Sequence, residues 1–498
     1  MTADAAAASL SLSLVAHTNV GKTTLARTLL RRDIGEVRDE AHVTREAEPH
    51  TLIESAAGDR LLLWDTPGFG DSVRLARRLQ AGQALGWFLT EVWDRFRDRA
   101  FWSSQRAVRH VLEQADVVLY LVNASEAPDD AGYLDAELEV LGLVGKPVLV
   151  LLNQMGPPQS PAAEAAELER WRGRIAAVPV VRGVWALDAF ARCWVQEDTL
   201  LAAVHAVLPP AQRPAFERLR GAWQARSEAT WHAAMAVLAE RLVHAALDRE
   251  PLPADGWSGR LREVGAALGL HRGGRATPRE QAMQHLAERL DADIRASTDR
   301  LIALHGLAGH ASERVLTRLA EHYALQAPVS EGRAALWGGA VAGALAGLKA
   351  DVLSGGLTLG GGLLAGGVLG ALGAAGLARG YNLLRGVEQP MLGWAPEVLD
   401  GLVRSALLGY LAVAHYGRGR GDWTESEHPA FWQEVVQAVV AERQAQLEPL
   451  WAELHALRQE GAAPDEAGEA TSRLQAWLAA AGRAVLARLY PGLAGPRA

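Results

Sequence analysis

The chain has 498 residues, a net charge of −8, 49% apolar residues and 22% charged residues. That length accommodates roughly two to four domains, and the composition excludes wholesale disorder. Charges of both signs are mixed along the chain without a basic block, so no nucleic-acid partner is expected. Cys193 is the single cysteine, which excludes an internal disulfide and fits a reducing compartment. Met1–Ser9 lacks the basic n-region of a secretory signal, so a cytoplasmic location is expected, either free or on the inner face of a membrane.

From residue 10 to about 208 the pattern alternates strands and helices. Apolar runs at 11–16, 60–65, 116–123, 147–153 and 178–186 read as buried parallel strands, separated by helical stretches such as Lys22–Arg32 and Asp135–Gly142. This pattern predicts an α/β domain, doubly wound around a mostly parallel sheet, over 10–208. A long insert, roughly 75–113, mixes Arg with Trp87, Trp93, Phe96, Phe101 and Trp102, and these aromatics read as the buried stripe of a helix. Pro209, Pro210 and Pro214 close the domain. An all-α region is expected beyond them: a helical domain over 215–330, a glycine-rich hairpin over 331–386 and C-terminal helices over 390–490.

The chemistry is concentrated near the first strand. Ala16-His17-Thr18-Asn19-Val20-Gly21-Lys22-Thr23-Thr24 follows it directly, and Asp65-Thr66-Pro67-Gly68 closes the second apolar run. A strand, a tight loop and a helix place backbone N–H groups around a phosphate chain. Lys22 would reach the outer phosphates, the Thr23 hydroxyl would ligate Mg2+, and Asp65 would hold the metal through its water shell. Lys22 is one of only three lysines, among 50 basic residues, so this position demands a compact ammonium that the broad, planar guanidinium does not supply. Ala16 replaces the usual first glycine of such loops, a methyl group that a negative φ tolerates. The reading is a nucleoside triphosphate cradle. His17 is expected to act as a spacer within it rather than as a base.

Between Arg333 and Arg379 charge disappears apart from Lys349 and Asp351, and glycine recurs every fourth residue at Gly339, Gly343 and Gly347 and at Gly362, Gly366 and Gly370. Such spacing lets two helix backbones approach closely, as in membrane helix pairs. In water each glycine would cost a helix roughly 1 kcal/mol, whereas in a bilayer unsatisfied backbone groups are costlier still. Two arms, about 335–353 and 357–378, are each close to the ~20 residues that span a bilayer. A membrane-inserting or membrane-associated hairpin is expected, the alternative being a hairpin of small residues packed in water.

The loop and the Asp65-Thr66-Pro67-Gly68 motif resemble those of the Era-like, translation-factor-related P-loop GTPases, including the internal Asn19. The layout resembles a bacterial group of these GTPases with a glycine-rich C-terminal domain of unknown function. The resemblance covers about residues 11–190 at the level of motifs and is architectural beyond. It implies that Asn19, Val20, Gly21, Lys22, Thr23 and Thr24 bind the phosphates of GTP or GDP, and that Thr23, Thr44 and Asp65 serve Mg2+. It also implies that Lys22, Thr44 and Gly68 act on the γ-phosphate, whose loss would release both switch segments. Thr44 reads equally well as an exposed loop threonine.

Two departures from the family pattern stand out. The guanine-reading motif, normally Asn-Lys-x-Asp, is Asn153-Gln154-Met155-Gly156 and lacks its carboxylate; Asp188 in Trp185-Ala186-Leu187-Asp188 either substitutes for it or caps the next helix. Phe69 stands where Ras-type enzymes place a water-orienting glutamine, so intrinsic turnover should be slow. Two functions are therefore open at this point. One is a guanine-nucleotide switch that hydrolyses GTP and attaches to a membrane or a membrane protein. The other is a nucleotide-regulated membrane scaffold, held together as a homo-oligomer, with weak or no hydrolysis.

Overall fold

In a computed structural model the described residues are 7–31, 34, 47–80, 99–156, 160–175, 177–187, 193–251, 278–307, 381–384, 391–416 and 430–491. Strand β1 (Ser9–Ala16) reads Ser-Leu-Ser-Leu-Ser-Leu-Val-Ala, and its alternation sends Leu10, Leu12 and Leu14 to one side of the sheet and Val15 to the other. The same sorting holds in β4 (Val117–Asn123) and β5 (Val148–Asn153): Leu119, Leu121, Leu149 and Leu151 join the first core, and Tyr120, Val122, Val150 and Leu152 the second. With β2 (Glu48–Glu54), β3 (Arg60–Asp65) and β6 (Val181–Ala186) they form one six-stranded sheet in the order β2-β3-β1-β4-β5-β6. Only β2 runs antiparallel within that sheet.

Both faces are covered by helices. Leu25 and Leu29 of α1 (Lys22–Leu30), Leu201 and Val204 of α6 (Trp194–Val207) and Phe216 and Trp223 of α7 (Arg213–Leu247) pack on the first. The second takes Leu75 of α2 (Ser72–Gln80), Phe101 and Val108 of α3 (Arg99–Gln114), Leu138 and Leu141 of α4 (Leu134–Val144) and Trp171 of α5 (Pro161–Ile175). The five apolar runs in the sequence coincide with β1, β3, β4, β5 and β6, whereas the half-exposed, polar β2 was not foreseen. The insert contributes α2 and α3, and Phe101 is buried as expected; Trp87, Trp93 and Phe96 lie outside the described residues.

The start of α7 is fastened to the β2–β3 turn and to α6 by two forked ion pairs. Arg218 donates from Nε and Nη2 to the buried Asp59 at 2.7 and 2.8 Å, and Arg220 donates to Asp198 at 2.9 Å through each nitrogen. Bidentate geometry makes these the strong kind of charge-assisted bond. Asp59 also accepts from Ser55 Oγ and the Ala8 N–H, fixing the β2–β3 turn.

Chain contacts divide the molecule into two units. The first combines residues 1–230 with 414–432 and 486–498, and the second 231–413 with 433–485. The second unit is helical, built on the rest of α7, α8 (Pro278–Leu304), α9 (Pro396–Ala414), α10 (Ala430–Arg443), α11 (Glu448–Glu460) and most of α12 (Gly468–Leu489). It also holds a small antiparallel sheet that the sequence pattern did not reveal, β7 (Arg249–Pro251), β9 (Met391–Trp394) and β8 (Tyr381–Leu384), in the order β7-β9-β8. Arg458, only 1% exposed, ties this sheet to its helices by donating to the carbonyls of Trp394 and Ala246 at 2.9 and 3.3 Å. Burial pulls its pKa down to about 10. Gly393 makes room for it, since a Cβ there would lie 2.6 Å from Nη1. Apart from β8, the glycine-rich segment 331–386 lies outside the described residues. Among the described residues no helix is long and apolar enough to cross a membrane.

The Arg218 guanidinium holds the Asp59 carboxyl well below its ordinary value near 3.8. A lowered folded-state pKa stabilises the fold above the unfolded-state value and loses that contribution as pH falls toward the folded-state value. Asp59→Asn is therefore expected to melt below wild type near neutral pH, with the gap narrowing below about pH 4. Thermal unfolding of both proteins across that range checks it; a gap that does not change with pH would contradict it.

Candidate functional site

The carboxyl ends of β1 and β3 bring the phosphate-loop residues and Asp65 together. Two consecutive constraints shape the loop. Asn19 and Gly21 have φ of 65° and 93°, a left-handed conformation that glycine adopts freely and asparagine tolerates. Gly21 then caps α1, so the helix begins at Lys22 with its N-terminal N–H groups directed into the loop. Gly21 is also close to Asn153: a Cβ on it would lie 2.8 Å from Asn153 Nδ2. That amide, fully buried, donates to the Val20 carbonyl at 2.7 Å. Next to it Gln154, at φ 59°, donates from Nε2 to the Asn19 carbonyl at 3.4 Å. The end of β5 thus holds the loop in shape. Val20 itself is 4% exposed and packs in the core, so it offers the loop a carbonyl and an anchor. Thr24 is likewise buried.

Within the loop, Lys22 is 7% exposed and donates from Nζ to the His17 carbonyl at 3.3 Å. Burial lowers its pKa, opposed by the carboxylates of Asp65 and Glu137. The Thr23 hydroxyl donates to Asp65 Oδ2 at 2.6 Å. Asp65, 3% exposed, has its pKa raised by burial, with the Thr23 bond and the Lys22 charge acting in the other direction. Thr66 Oγ1 donates to the Leu14 carbonyl at 2.6 Å and fixes the turn after Asp65. Gly68 follows against the loop, where a Cβ would stand 2.9 Å from Lys22 Nζ and 3.1 Å from Thr18 Cα. Its carbonyl accepts from Ser104 Oγ of α3 at 3.3 Å, and the Gly70 N–H donates to the same hydroxyl at 2.9 Å. Phe69 is 1% exposed in the second core, and its N–H donates to the Ala16 carbonyl at 3.0 Å.

His17 is more than the spacer the sequence suggested. Its Nδ1 lies 2.7 Å from Oε1 of Glu137, a fully buried residue in the first turn of α4, and its ring stacks on Tyr133 at a centroid distance of 4.6 Å. Asp71, exposed, caps α2 by accepting from the Arg74 N–H at 3.0 Å. Asn19, Val20, Gly21, Lys22, Thr23, Thr24, Asp65, Gly68 and Asn153 thus share one site, while Thr44 and Asp188 lie outside the described residues. The residues missed at the sequence level are Glu137, Ser72, Ser104 and Gln154. The one signal for Glu137 was an acidic residue on the apolar face of a helix.

Residues 180–480 match the family described as a domain of unknown function, DUF3482. The chain belongs to the DUF3482 family. Residues 11–154 match the family described as 50S ribosome-binding GTPase, so this DUF3482 protein carries a P-loop GTPase domain ahead of its helical region. No curated protein matches the chain. Among solved structures it is similar to Era in complex with MgGDPNP and nucleotides 1506–1542 of 16S ribosomal RNA, at 18% identity over 45% of this chain and 67% of that one, with a TM-score of 0.30. Aquifex aeolicus Era bound to GDP.AlF4- is 16% identical over 58% of this chain and 89% of its own, with a TM-score of 0.29. For mGMPPNP-bound NFeoB from S. thermophilus the values are 12%, 60%, 99% and 0.23.

The loop geometry makes a direct prediction. Gly21→Ala imposes both a left-handed φ on an L residue and a clash with Asn153, and is expected to lower stability by about 1–3 kcal/mol. Asn153→Ala relieves the clash but not the dihedral, so Gly21→Ala should remain destabilising in that background. Urea unfolding of the two single variants and the double variant measures this, and a neutral Gly21→Ala would contradict the loop conformation.

Proposed function

We propose that this DUF3482 protein is a guanine-nucleotide-binding switch that hydrolyses GTP to GDP with Mg2+, slowly in the absence of a partner. The observation that carries the reading is the Thr23 hydroxyl 2.6 Å from the buried Asp65 carboxylate, beside the buried ammonium of Lys22. Hydroxyl and carboxylate oxygens are the donors a hard divalent cation takes, and Mg2+ keeps several waters alongside them. Gly68 leaves open the volume beside Lys22 Nζ that any side chain would fill. The residues present therefore fit the nucleotide and the metal. Thr23 and Asp65 would serve the metal, with Thr44 as a further ligand. Lys22 and the backbone N–H groups of residues 19–24 would hold the phosphates, and Gly68 would donate its N–H to the γ-phosphate. When bound, the metal supplies charge neutralisation on the phosphate oxygens.

Asn153 and Asp188 are the candidates for reading the base. Asn153 already spends one amide proton on the Val20 carbonyl, so its remaining capacity is a second N–H and the side-chain oxygen. Phe69 supports slow turnover, because a core phenyl ring cannot orient water. In this reading residues 10–208 are the nucleotide module, 215–330 and 390–490 are helical domains, and 331–386 couples the switch to a membrane. Support for that last part is the glycine spacing and low charge of the segment alone.

Fluorescent GTP and ATP analogues with Mg2+ test the reading, with Lys22→Ala as control. GTP is expected to bind more tightly than ATP, and Lys22→Ala to weaken it about 10- to 100-fold, as the loss of a charged hydrogen-bonding group does. Equal binding of the two nucleotides would remove the guanine assignment, and no binding of either would overturn the switch. Phosphate release from GTP should be slow and should require Mg2+; its absence with GTP bound would leave a non-hydrolysing binder.

A further inference from the structure

One oxygen of a buried carboxylate sits where the phosphate loop and the segment after Gly68 meet. Glu137 Oε1 is 2.7 Å from His17 Nδ1 and 2.9 Å from Ser72 Oγ, and its partner oxygen Oε2 accepts from Tyr120 OH at 2.8 Å. A carboxylate only accepts, so the histidine tautomer here carries its proton on Nδ1. The Tyr120 hydroxyl is a permanent donor, since burial and the neighbouring carboxylate push its pKa well above the ordinary value of 10. Glu137 also lies in the first turn of α4, where the helix dipole favours negative charge.

What distinguishes this carboxylate is what its two Oε1 donors belong to. His17 is the loop residue whose carbonyl receives Lys22 Nζ, and it forms a parallel bridge with Phe69. Ser72 is the first residue of α2, four positions beyond Gly68. Hydrogen bonds therefore run in a chain from Lys22 through His17 and Glu137 to Ser72, four residues beyond Gly68. Displacing either donor removes one of the two hydrogen bonds that hold a fully buried carboxylate oxygen.

We propose that Glu137 is a positioning residue that joins the phosphate loop, through His17, to the start of α2, through Ser72, so that the protein distinguishes nucleoside triphosphate from diphosphate. This rests on the nucleotide-binding reading above. A residue that only stabilised the fold would alter affinity for both nucleotides together. A joint between the two segments alters their ratio, because in that reading the γ-phosphate, which the diphosphate lacks, is the group that would reach Gly68.

The test is the ratio of dissociation constants for fluorescent GDP and a non-hydrolysable GTP analogue in wild type, Ser72→Ala, Ser72→Thr, Glu137→Gln and Lys22→Ala. Ser72→Ala and Glu137→Gln are expected to change the ratio about fivefold or more, the scale of a coupling between sites, with Ser72→Thr close to wild type. Melting temperatures without nucleotide identify any variant that fails to fold, and Ser72→Ala, the smallest change, then decides the matter. A ratio within about twofold of wild type, or a parallel loss of both affinities, would overturn the joint while leaving nucleotide binding intact. If wild type bound neither nucleotide, both readings would fall; loss of binding confined to Lys22→Ala would keep the first standing.

Discussion

A sheet covered on both faces leaves an open polar site only at the ends of its strands, and the organisation of the first unit follows from that. β4 and β5 carry apolar side chains on each side, and the buried Ser11 and Ser13 of β1 are closed off by Trp64 and His110. At their carboxyl ends the chain must turn, and there the buried polar residues gather: Lys22, Asp65, Thr66 and Asn153, with Glu137 on the flanking helix. Their hydrogen bonds run to the loop itself, as for Lys22 and Asn153, or to a neighbouring strand or helix, as for Thr66 and Asp65. The loop is consequently held from several directions, by Asn153 from β5, by Thr66 and Phe69 from the end of β3, and by Glu137 from α4.

Much of this was legible in the residues. β4 and β5 announce themselves as unbroken apolar runs because burial on both faces favours that composition, while β1 keeps an apolar Leu at every second position. The phosphate loop is legible because its residues are adjacent in sequence and its conformation demands glycine. β2 was missed for the opposite reason: Glu-Pro-His-Thr-Leu-Ile-Glu is an edge strand, mostly solvated, and its pattern resembles a loop. The three strands of the small sheet are three or four residues long, shorter than any periodicity can register. Glu137 was invisible as a partner of His17 because 120 residues separate them and only the folded chain brings them together.

Both units use paired charges. In the first, Asp59–Arg218 and Asp198–Arg220 are forked pairs, and in the second Arg289 bridges Asp248 and Glu250. Arg458 is instead buried against backbone carbonyls, whose dipoles act together with the Asp248 charge to offset its desolvation. Its position between the end of α7, β9 and α11 makes it a cross-brace for a sheet too small to be stable alone.

Phe69 anchors the chain just after the candidate site. Its ring lies in the second core and its N–H donates to the Ala16 carbonyl, so the residue after Gly68 is held from two sides. Withdrawing a buried phenylalanine into water costs about 1.5–3 kcal/mol, which corresponds to roughly one to two orders of magnitude in the population of the open form. Rearrangement is therefore cheapest in the exposed stretch from Gly70 to Asp71, leaving the ring in place.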